Sequence, residues 1–131
     1  MYLDSSAILA IMLDEPEAET LGDRIDQATT KLITSPVSVF EAAVNLARLR
    51  KVPQEAGHEL VSEFLTAGGV SVVSITPEVG KRAIQAYSRY GKGTGHKAQL
   101  NMGDVFSYGC AKHYSAPLLY KGEDFIHTDL G

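Results

Sequence analysis

Four acidic side chains stand beside predicted strand ends and helix starts, where carboxylates could act on one substrate. They are Asp4 after the first strand, Glu41 inside a mostly apolar helix, Asp104 at the start of another apolar helix, and Asp124 after the last strand. In a parallel α/β fold, the carboxyl ends of the strands and the first turns of the following helices face one crevice. Carboxylates gathered there would repel each other by roughly 3 kcal/mol per pair at 5 Å and an effective dielectric of about 20. A cation would stabilise such a cluster, and its hard oxygen ligands predict Mg²⁺ or Mn²⁺.

The positions of these acids depend on an alternating pattern of strands and helices. The apolar runs predict strands at 2–3, 32–34, 70–75 and 117–120. Helical spacing, caps and prolines predict helices at 5–13, from Pro16, at 36–51, at 53–67, at 77–90 and at 102–113. Strands that alternate with helices indicate an α/β fold with a mostly parallel sheet covered on both faces. The chain of 131 residues is long enough for one domain, 1–131, with a real core.

Three of the four acids also have an ordinary structural interpretation. Asp4 could simply cap the first helix, because aspartate is a good N-cap residue. Asp104 could do the same and gain from the helix dipole. Asp124 lies in Gly122–Phe125, which is typical of a turn. For each acid taken singly, both interpretations stay open.

Glu41 is harder to explain structurally. Its helix is apolar nearly all round between Pro36 and Ala47 and is therefore expected to be buried. The polar residues Ser38, Glu41 and Asn45 fall at i, i+3 and i+7, on one narrow stripe. Because an unpaired buried carboxylate is costly, the stripe should face either water or a cation.

Positive charge is concentrated in one segment of an otherwise acidic protein. The net charge is −4, yet residues 79–103 contain no acid. This segment contains five basic residues, together with His96, Tyr87 and Tyr90: Lys81, Arg82, Arg89, Lys92 and Lys97. Basic groups interleaved with aromatic ones are typical of single-stranded nucleic-acid binding. The alternative is a solvated helix face followed by a polar loop.

Composition excludes several other classes of protein. The 44% apolar and 21% charged residues are typical of a globular protein. The single cysteine, Cys110, excludes an internal disulfide and is predicted to be a buried thiol. The early apolar run Ala7–Leu13 is too short to span a membrane and lacks the basic start of a signal peptide. A cytoplasmic protein is expected.

The ordered set of motifs resembles a known family over essentially the whole chain. The motifs are the start Tyr2–Ala7, the pair Glu41 and Asn45, the helix opening Asn101–Asp104, and the end Leu118–Phe125. Together they resemble a PIN domain, specifically the VapC-type toxin ribonucleases of type II toxin–antitoxin systems. The resemblance implies a three-layer α/β/α fold and a Mg²⁺- or Mn²⁺-dependent endoribonuclease. It also implies a homodimer that is neutralised by a small antitoxin encoded alongside.

The resemblance also assigns roles to residues. Asp4, Glu41 and Asp104 would hold one or two metal ions, and Asp124 would complete the catalytic set. The adjacent Glu123 leaves the identity of the fourth acid ambiguous, although an aspartate before Phe125 matches the family pattern better. Ser6 and Asn45 would support these acids. RNA would be contacted by four residues of the basic segment: Arg89, Lys92, His96 and Lys97.

Two other functions compete with this hypothesis. One is a catalytically inactive PIN-like module that keeps only its interaction surfaces. The other is a receiver-type phosphoacceptor domain, which is also small, acidic and magnesium-binding. A receiver needs an aspartate at the end of its central strand, and 72–76, taken as that strand, contains none.

Overall fold

The computed structural model describes residues 1–131, which form one sheet and six helices. The strands are β1 (Tyr2–Leu3), β2 (Ile33–Thr34), β3 (Ser71–Val72) and β4 (Leu118–Leu119). The helices are α1 (Ser5–Met12), α2 (Ala18–Asp26), α3 (Pro36–Arg50), α4 (Gln54–Ala67), α5 (Pro77–Tyr90) and α6 (Met102–His113). The sheet order is β3-β2-β1-β4, and every pairing is parallel. The predicted α/β class with a parallel sheet is confirmed.

The inner strands are short but fully buried. Tyr2 pairs with Ile33 on one side and with Leu118 on the other, and neither residue of β1 is exposed to solvent. Burial on both faces explains why β1 is apolar at both positions, without alternation. Because β1 ends at Leu3, the next residue, Asp4, emerges at the carboxyl edge of the sheet.

The third strand differs from its prediction. The sequence favoured a strand over 70–75, whereas β3 contains two residues, both exposed, at the edge of the sheet. All four strands of this sheet contain two residues, and β3 is limited to the two positions that pair with Ile33 and Thr34 of β2. Beyond β3, Val73 N still donates to Thr34 O at 2.8 Å before the chain turns into α5.

Helix starts follow the predicted caps with small differences. Asp4 and Thr76 cap α1 and α5 through their side chains, and proline occupies the first position of α3 and α5. Ser35 precedes α3 as expected, but its hydroxyl makes no capping bond to the helix. The acidic helix α2 begins at Ala18 rather than Pro16, because 16–17 form a turn.

Two hydrophobic clusters cover the two faces of the sheet, which gives the three-layer arrangement. One cluster joins α5 and α6 to the sheet around Tyr2, Leu100 and Phe125. The other joins α1, α3 and α4 around Leu3, Leu46 and Leu119. Adjacent strand residues point to opposite faces, which places Tyr2 and Leu3 in different clusters. The buried thiol predicted for Cys110 is confirmed.

One expectation about α3 is wrong. The helix is not buried all round, since the Phe40 side chain is 67% exposed. Its core-facing side is instead occupied by small residues such as Ala42 and Ala43, where α4 packs closely. None of the helices is long and apolar enough to cross a membrane.

Candidate active site

Asp4 is held at the carboxyl edge of the sheet by hydroxyl and backbone donors. Its Oδ2 accepts from Ser6 N at 3.0 Å and from Ser6 Oγ at 2.6 Å, and its Oδ1 accepts from Ser107 Oγ at 2.6 Å. The side chain is only 5% exposed. Asp4 therefore caps α1, as the structural alternative predicted, and its carboxylate is fixed at the same time by a residue of α6.

Glu41 projects from the second turn of α3 towards α1 and α6. Its Oε1 accepts from Ser5 Oγ at 3.2 Å, while its carboxylate lies directly on Gly103. Burial, the charge of Asp4 and the Ser5 hydroxyl act on this group, and the first two outweigh the third, so the pKa of Glu41 is raised. Of the polar stripe predicted on α3, the Glu41 side chain therefore points into the protein, towards the other acids.

Asp104 lies in the first turn of α6 in a reciprocal capping box. Its Oδ2 accepts from Asn101 N at 3.0 Å, and Asn101 Oδ1 accepts from Asp104 N at 2.9 Å. Asp104 therefore has the cap role that its sequence position allowed. Since its other oxygen, Oδ1, accepts no hydrogen bond from the protein, this role leaves part of the carboxylate free.

Asp124 is exposed in the turns that follow β4, next to the buried Phe125. Of the two adjacent acids, Asp124 is the one whose negative charge acts on Asp104. The sequence left Glu123 and Asp124 as alternatives, and this electrostatic contact favours Asp124.

The charges of the three other acids all act on Asp104. Burial raises its pKa most, and the charges of Asp124, Asp4 and Glu41 raise it further, to about 7, against the lowering effect of the Asn101 hydrogen bond. Negative charges from three other parts of the chain therefore act on the Asp104 carboxylate and disfavour its ionisation. The structure brings the four predicted acids together.

The donor chemistry of this crevice fits a hard divalent cation, but the side chains are not closed around one point. Glu41 Oε2 and Asp104 Oδ1 have no protein donor, so both can serve as ligand oxygens. No group of three histidine, cysteine or acidic side chains is close enough to hold a metal ion as the side chains stand. Ligation by three carboxylates would require Glu41 and Asp104 to rotate towards Asp4, which is held in place by Ser6 and Ser107, and a cation between them would favour this movement.

The two supporting residues predicted from the sequence have different positions. Ser6 lies in the crevice: it donates to Asp4 and accepts from Lys121 N at 3.0 Å, which ties α1 to the segment that carries Asp124. Asn45 instead bonds within its own helix, to Glu41 O at 2.8 Å and to Arg48. It contacts none of the four carboxylates.

The sequence did not identify Ser107 or Lys121, although both position site residues. Ser107 follows Asp104 by three residues on α6, so helical spacing could have placed it on the same face. Lys121 Nζ pairs with Glu15 at 2.7 Å, which anchors the end of β4 to the α1–α2 connection. No spacing rule connects residues so distant in sequence.

The loop of the basic segment leads into the helix that carries Asp104. The loop 91–100 is closed by Lys92 N–Leu100 O at 2.9 Å and leads directly into α6, with Lys92 and Lys97 exposed on it. The other two predicted RNA contacts are partly engaged. The Arg89 guanidinium lies 4.9 Å from the Tyr90 ring centroid, and His96 Nδ1 accepts from Ala98 N at 3.0 Å.

The aromatic part of the single-strand hypothesis is only half correct. Tyr90 is buried in the core between α5 and α6, so it cannot stack on a base. Tyr87 is 43% exposed, and its hydroxyl donates to Lys92 O at 3.0 Å. One tyrosine is therefore available beside the loop.

Comparison with known proteins identifies the family. The PIN domain model matches residues 1–130. A VapC ribonuclease of Rhizobium meliloti (strain 1021) is 42% identical, and the match covers 99% of both chains. The chain belongs to the VapC family of PIN-domain ribonucleases. Ribonuclease VapC42 of Mycobacterium tuberculosis is 36% identical, over 99% of this chain and 96% of that protein.

A solved VapC structure has the same fold at low sequence identity. The Mycobacterium tuberculosis toxin VapC20, described as cleaving the sarcin–ricin loop, aligns with a TM-score of 0.70 over 95% of this chain and 92% of its own. The two sequences are 13% identical, so this likeness concerns the fold alone. The three-layer VapC-like architecture expected from the resemblance is confirmed.

The central part of the sheet is not formed by the segment expected from the sequence. The segment taken as the central strand is β3, which lies at the edge, whereas the inner strand β1 does end at an aspartate, Asp4. The missing aspartate therefore does not exclude a receiver. Membership of the VapC family does, because it assigns the whole chain to a different kind of domain.

Proposed function

We propose that the protein is a divalent-metal-dependent endoribonuclease, the toxin of a toxin–antitoxin pair, with its active centre at Asp4, Glu41, Asp104 and Asp124. The observation that carries the proposal is the meeting of these acids from separate elements: the Glu41 carboxylate lies against Gly103, next to Asp104, and Asp4 accepts from Ser107 on the same helix. The charges of Asp4, Glu41 and Asp124 all act on Asp104. A purely structural capping box has no need of three further carboxylates around it. The VapC ribonucleases that share 36–42% of this sequence support the reaction type.

Mg²⁺ or Mn²⁺ would be held by Asp4, Glu41 and Asp104, with Asp124 completing the set. When bound, such a cation acidifies water and stabilises the negative charge that develops on a phosphodiester during hydrolysis. The residues of the chain then have two tasks. Asp4 is fixed in place by Ser6 and Ser107, while the less constrained Glu41 and Asp104 supply the movable ligand oxygens.

RNA would approach across the loop 91–100. Lys92 and Lys97 are exposed there, close in sequence to Asp104, and their ammonium groups can neutralise backbone phosphates. Tyr87 offers an exposed ring beside them for stacking. Arg89 and His96 remain part of this proposed RNA surface, although each already has an intramolecular partner.

A small antitoxin would restrain the enzyme by covering the crevice. An arginine of such a partner could pair bidentately with the carboxylates and compete with metal. An apolar groove of about 640 Å³ lies between α3 and α4 and includes Val39, Phe40 and Val72 in its lining. Phe40 precedes Glu41 in α3, so a partner segment in this groove would lie along the helix that carries one of the four acids. A homodimer, as implied by the family, is part of the proposal.

The decisive experiment compares the wild-type protein with Asp104→Asn on RNA under controlled metal. We expect wild type to cleave RNA with Mg²⁺ or Mn²⁺ and to stop when EDTA is added, and the variant to be inactive. Wild-type protein that binds RNA and partner but never cleaves would instead support the inactive interaction module. Co-expression with the product of the adjacent reading frame tests the partner, which should co-purify and suppress cleavage.

A further inference from the structure

A continuous chain of buried hydroxyl groups leads from the core to the active-site acid Asp4. Ser35 Oγ and Ser38 Oγ each lie 2.7 Å from Tyr2 Oη, Ser38 Oγ lies 3.2 Å from Ser107 Oγ, and Ser107 Oγ lies 2.6 Å from Asp4 Oδ1. The four hydroxyl residues are 0% exposed. The chain links β1, α3 and α6, the three elements on which Asp4, Glu41 and Asp104 depend.

The charge of Asp4 fixes the direction of every hydrogen bond in this chain. A carboxylate only accepts, so the single hydroxyl proton of Ser107 points to Asp4. Ser38 must then donate to Ser107, because Ser107 has no second proton. The same reasoning makes Tyr2 donate to Ser38 and Ser35 donate to Tyr2. The proton order is therefore Ser35 to Tyr2 to Ser38 to Ser107 to Asp4.

Two physical features make this order persistent. A phenol hydroxyl is an O–H donor, and Tyr2 is 0% exposed, so water does not compete for the proton that it donates. Hydrogen bonds that all point one way polarise each other, and a low local dielectric strengthens them. Each hydroxyl dipole therefore has its positive end directed along the chain towards Asp4 Oδ1.

We propose that Ser107 and Tyr2 are positioning residues of the active site, which act through this one-way chain to hold the Asp4 carboxylate in a single orientation. The inference rests on the proposed metal-binding role of Asp4. Ser107 fixes Oδ1 while Ser6 fixes Oδ2, so the carboxylate cannot rotate about its own axis. Of about four acceptor sites on a carboxylate, three are filled by protein donors. The one acceptor site of Asp4 that remains open therefore has a fixed direction before a metal ion binds.

The test is Mn²⁺ affinity without RNA, measured by electron paramagnetic resonance on full-length wild type, Ser107→Ala and Tyr2→Phe. Outer-shell partners of ligands commonly change metal affinity by about 10- to 100-fold, and we expect a weakening of about 10-fold for Ser107→Ala. Tyr2→Phe should weaken binding in the same direction but less, because Ser107 still donates to Asp4. Single-turnover RNA cleavage at low Mn²⁺ should fall in the same order.

The matched control is Thr34→Val, which removes a buried hydroxyl that donates to Leu3 O at 2.8 Å outside the chain. This variant should lose stability without loss of Mn²⁺ affinity. Wild-type affinity in both Ser107→Ala and Tyr2→Phe would overturn the proposal, as would an equal loss of affinity in Thr34→Val.

A metal-free measurement separates this inference from the proposed function. The Tyr2 hydroxyl proton is buried, so it should exchange slowly and give a resolved NMR signal in wild-type protein. Its nuclear Overhauser contacts should be to Ser38 rather than Ser35 if the chain runs towards Asp4, and the reverse pattern would overturn the proposed direction. A wild type that shows the expected contacts but binds no Mn²⁺ would refute the metal site and leave the hydroxyl chain intact.

Discussion

The carboxylate of Glu41 lies directly against Gly103, so closely that a methyl group at position 103 would stand 2.5 Å from the Glu41 carboxyl carbon. Gly103 precedes Asp104 in the first turn of α6, so the missing side chain is what allows α3 and α6 to bring Glu41 and Asp104 together. The two residues are far apart in sequence. Their contact makes the glycine part of the site.

Gly103→Ala should therefore impair the site without unfolding the protein. Alanine favours a helix by about 1 kcal/mol relative to glycine, and the group displaced is the mobile end of the Glu41 side chain rather than backbone. We expect a free energy of unfolding within about 1 kcal/mol of wild type, because these two effects oppose each other. Metal affinity and RNA cleavage should fall at least several-fold.

The matched control is Gly80→Ala in α5, where nothing lies within 4 Å of an added methyl group. This variant should gain stability from helix propensity and keep wild-type metal affinity. Equal metal affinity in both variants would show that Glu41 is not a ligand.

The metal-free protein should become less stable as pH rises from about 4 to about 7. The pKa of Asp104 is near 7 in the folded protein, above its ordinary value of 3.8, so the folded state binds more protons than the unfolded state in this range. The raised pKa of Glu41 acts in the same direction. Chemical denaturation in EDTA at several pH values measures the effect. Stability that rises steadily between pH 4 and 7 in wild type but not in Asp104→Asn would contradict the raised pKa.

Asp104→Asn should separate the capping role from the catalytic role. The amide oxygen can still accept from Asn101 N, so the cap is kept while the repulsion from Asp4, Glu41 and Asp124 disappears. At pH 8 in EDTA, we expect this variant to be at least as stable as wild type. Asp104→Ala should instead lose about 1 kcal/mol with the cap.

The same comparison of wild type and Asp104→Asn should be repeated with Mg²⁺. The cation should raise the Tm of wild type by mass action, since a ligand that binds only the folded state stabilises it. The increase should be absent or much smaller in Asp104→Asn. A variant that retains both the Mg²⁺-dependent increase and metal-dependent cleavage would remove Asp104 from the site.

The parts of the site that depend on local pattern could be predicted from the sequence. Strand ends, caps and the i, i+3 spacing of Ser38 and Glu41 located the acids and the inward-facing stripe. Contacts that depend on how distant elements meet could not be predicted. Ser107, for example, reaches Asp4 across 103 positions. The burial of Tyr90 was predictable by contrast, because Val79, Ala83, Ala86 and Tyr90 recur at helical spacing on the buried face of α5.

Neutralising the proposed RNA loop should affect RNA binding but not metal binding. The double variant Lys92→Gln, Lys97→Gln should bind RNA less tightly, with a salt dependence flatter by about 0.7 log–log units per lost phosphate contact. Both side chains are exposed, so the fold should be unaffected. Fluorescence anisotropy over a salt series, with a catalytically inactive background, measures both quantities.

The control for charge is Lys31→Gln, Lys51→Gln, which also removes two positive charges, but from positions outside the loop, just before β2 and just after α3. It should leave the salt slope within error of wild type. If both double variants change the slope equally, RNA binding depends on net charge alone and the loop is not its contact surface.

Phe40 should separate partner binding from catalysis. Its ring is 67% exposed and lines the groove between α3 and α4, so Phe40→Asp should cost little stability while placing a charge where an apolar partner segment would sit. We expect loss of co-purification with the product of the adjacent reading frame and RNase activity that this product no longer suppresses. Leu49→Asp is the control, because Leu49 is 51% exposed on the same helix but does not line the groove. If Phe40→Asp still captures the partner, as Leu49→Asp should, the antitoxin binds elsewhere. If Phe40→Asp no longer cleaves RNA, the substitution has disturbed Glu41 as well as the groove.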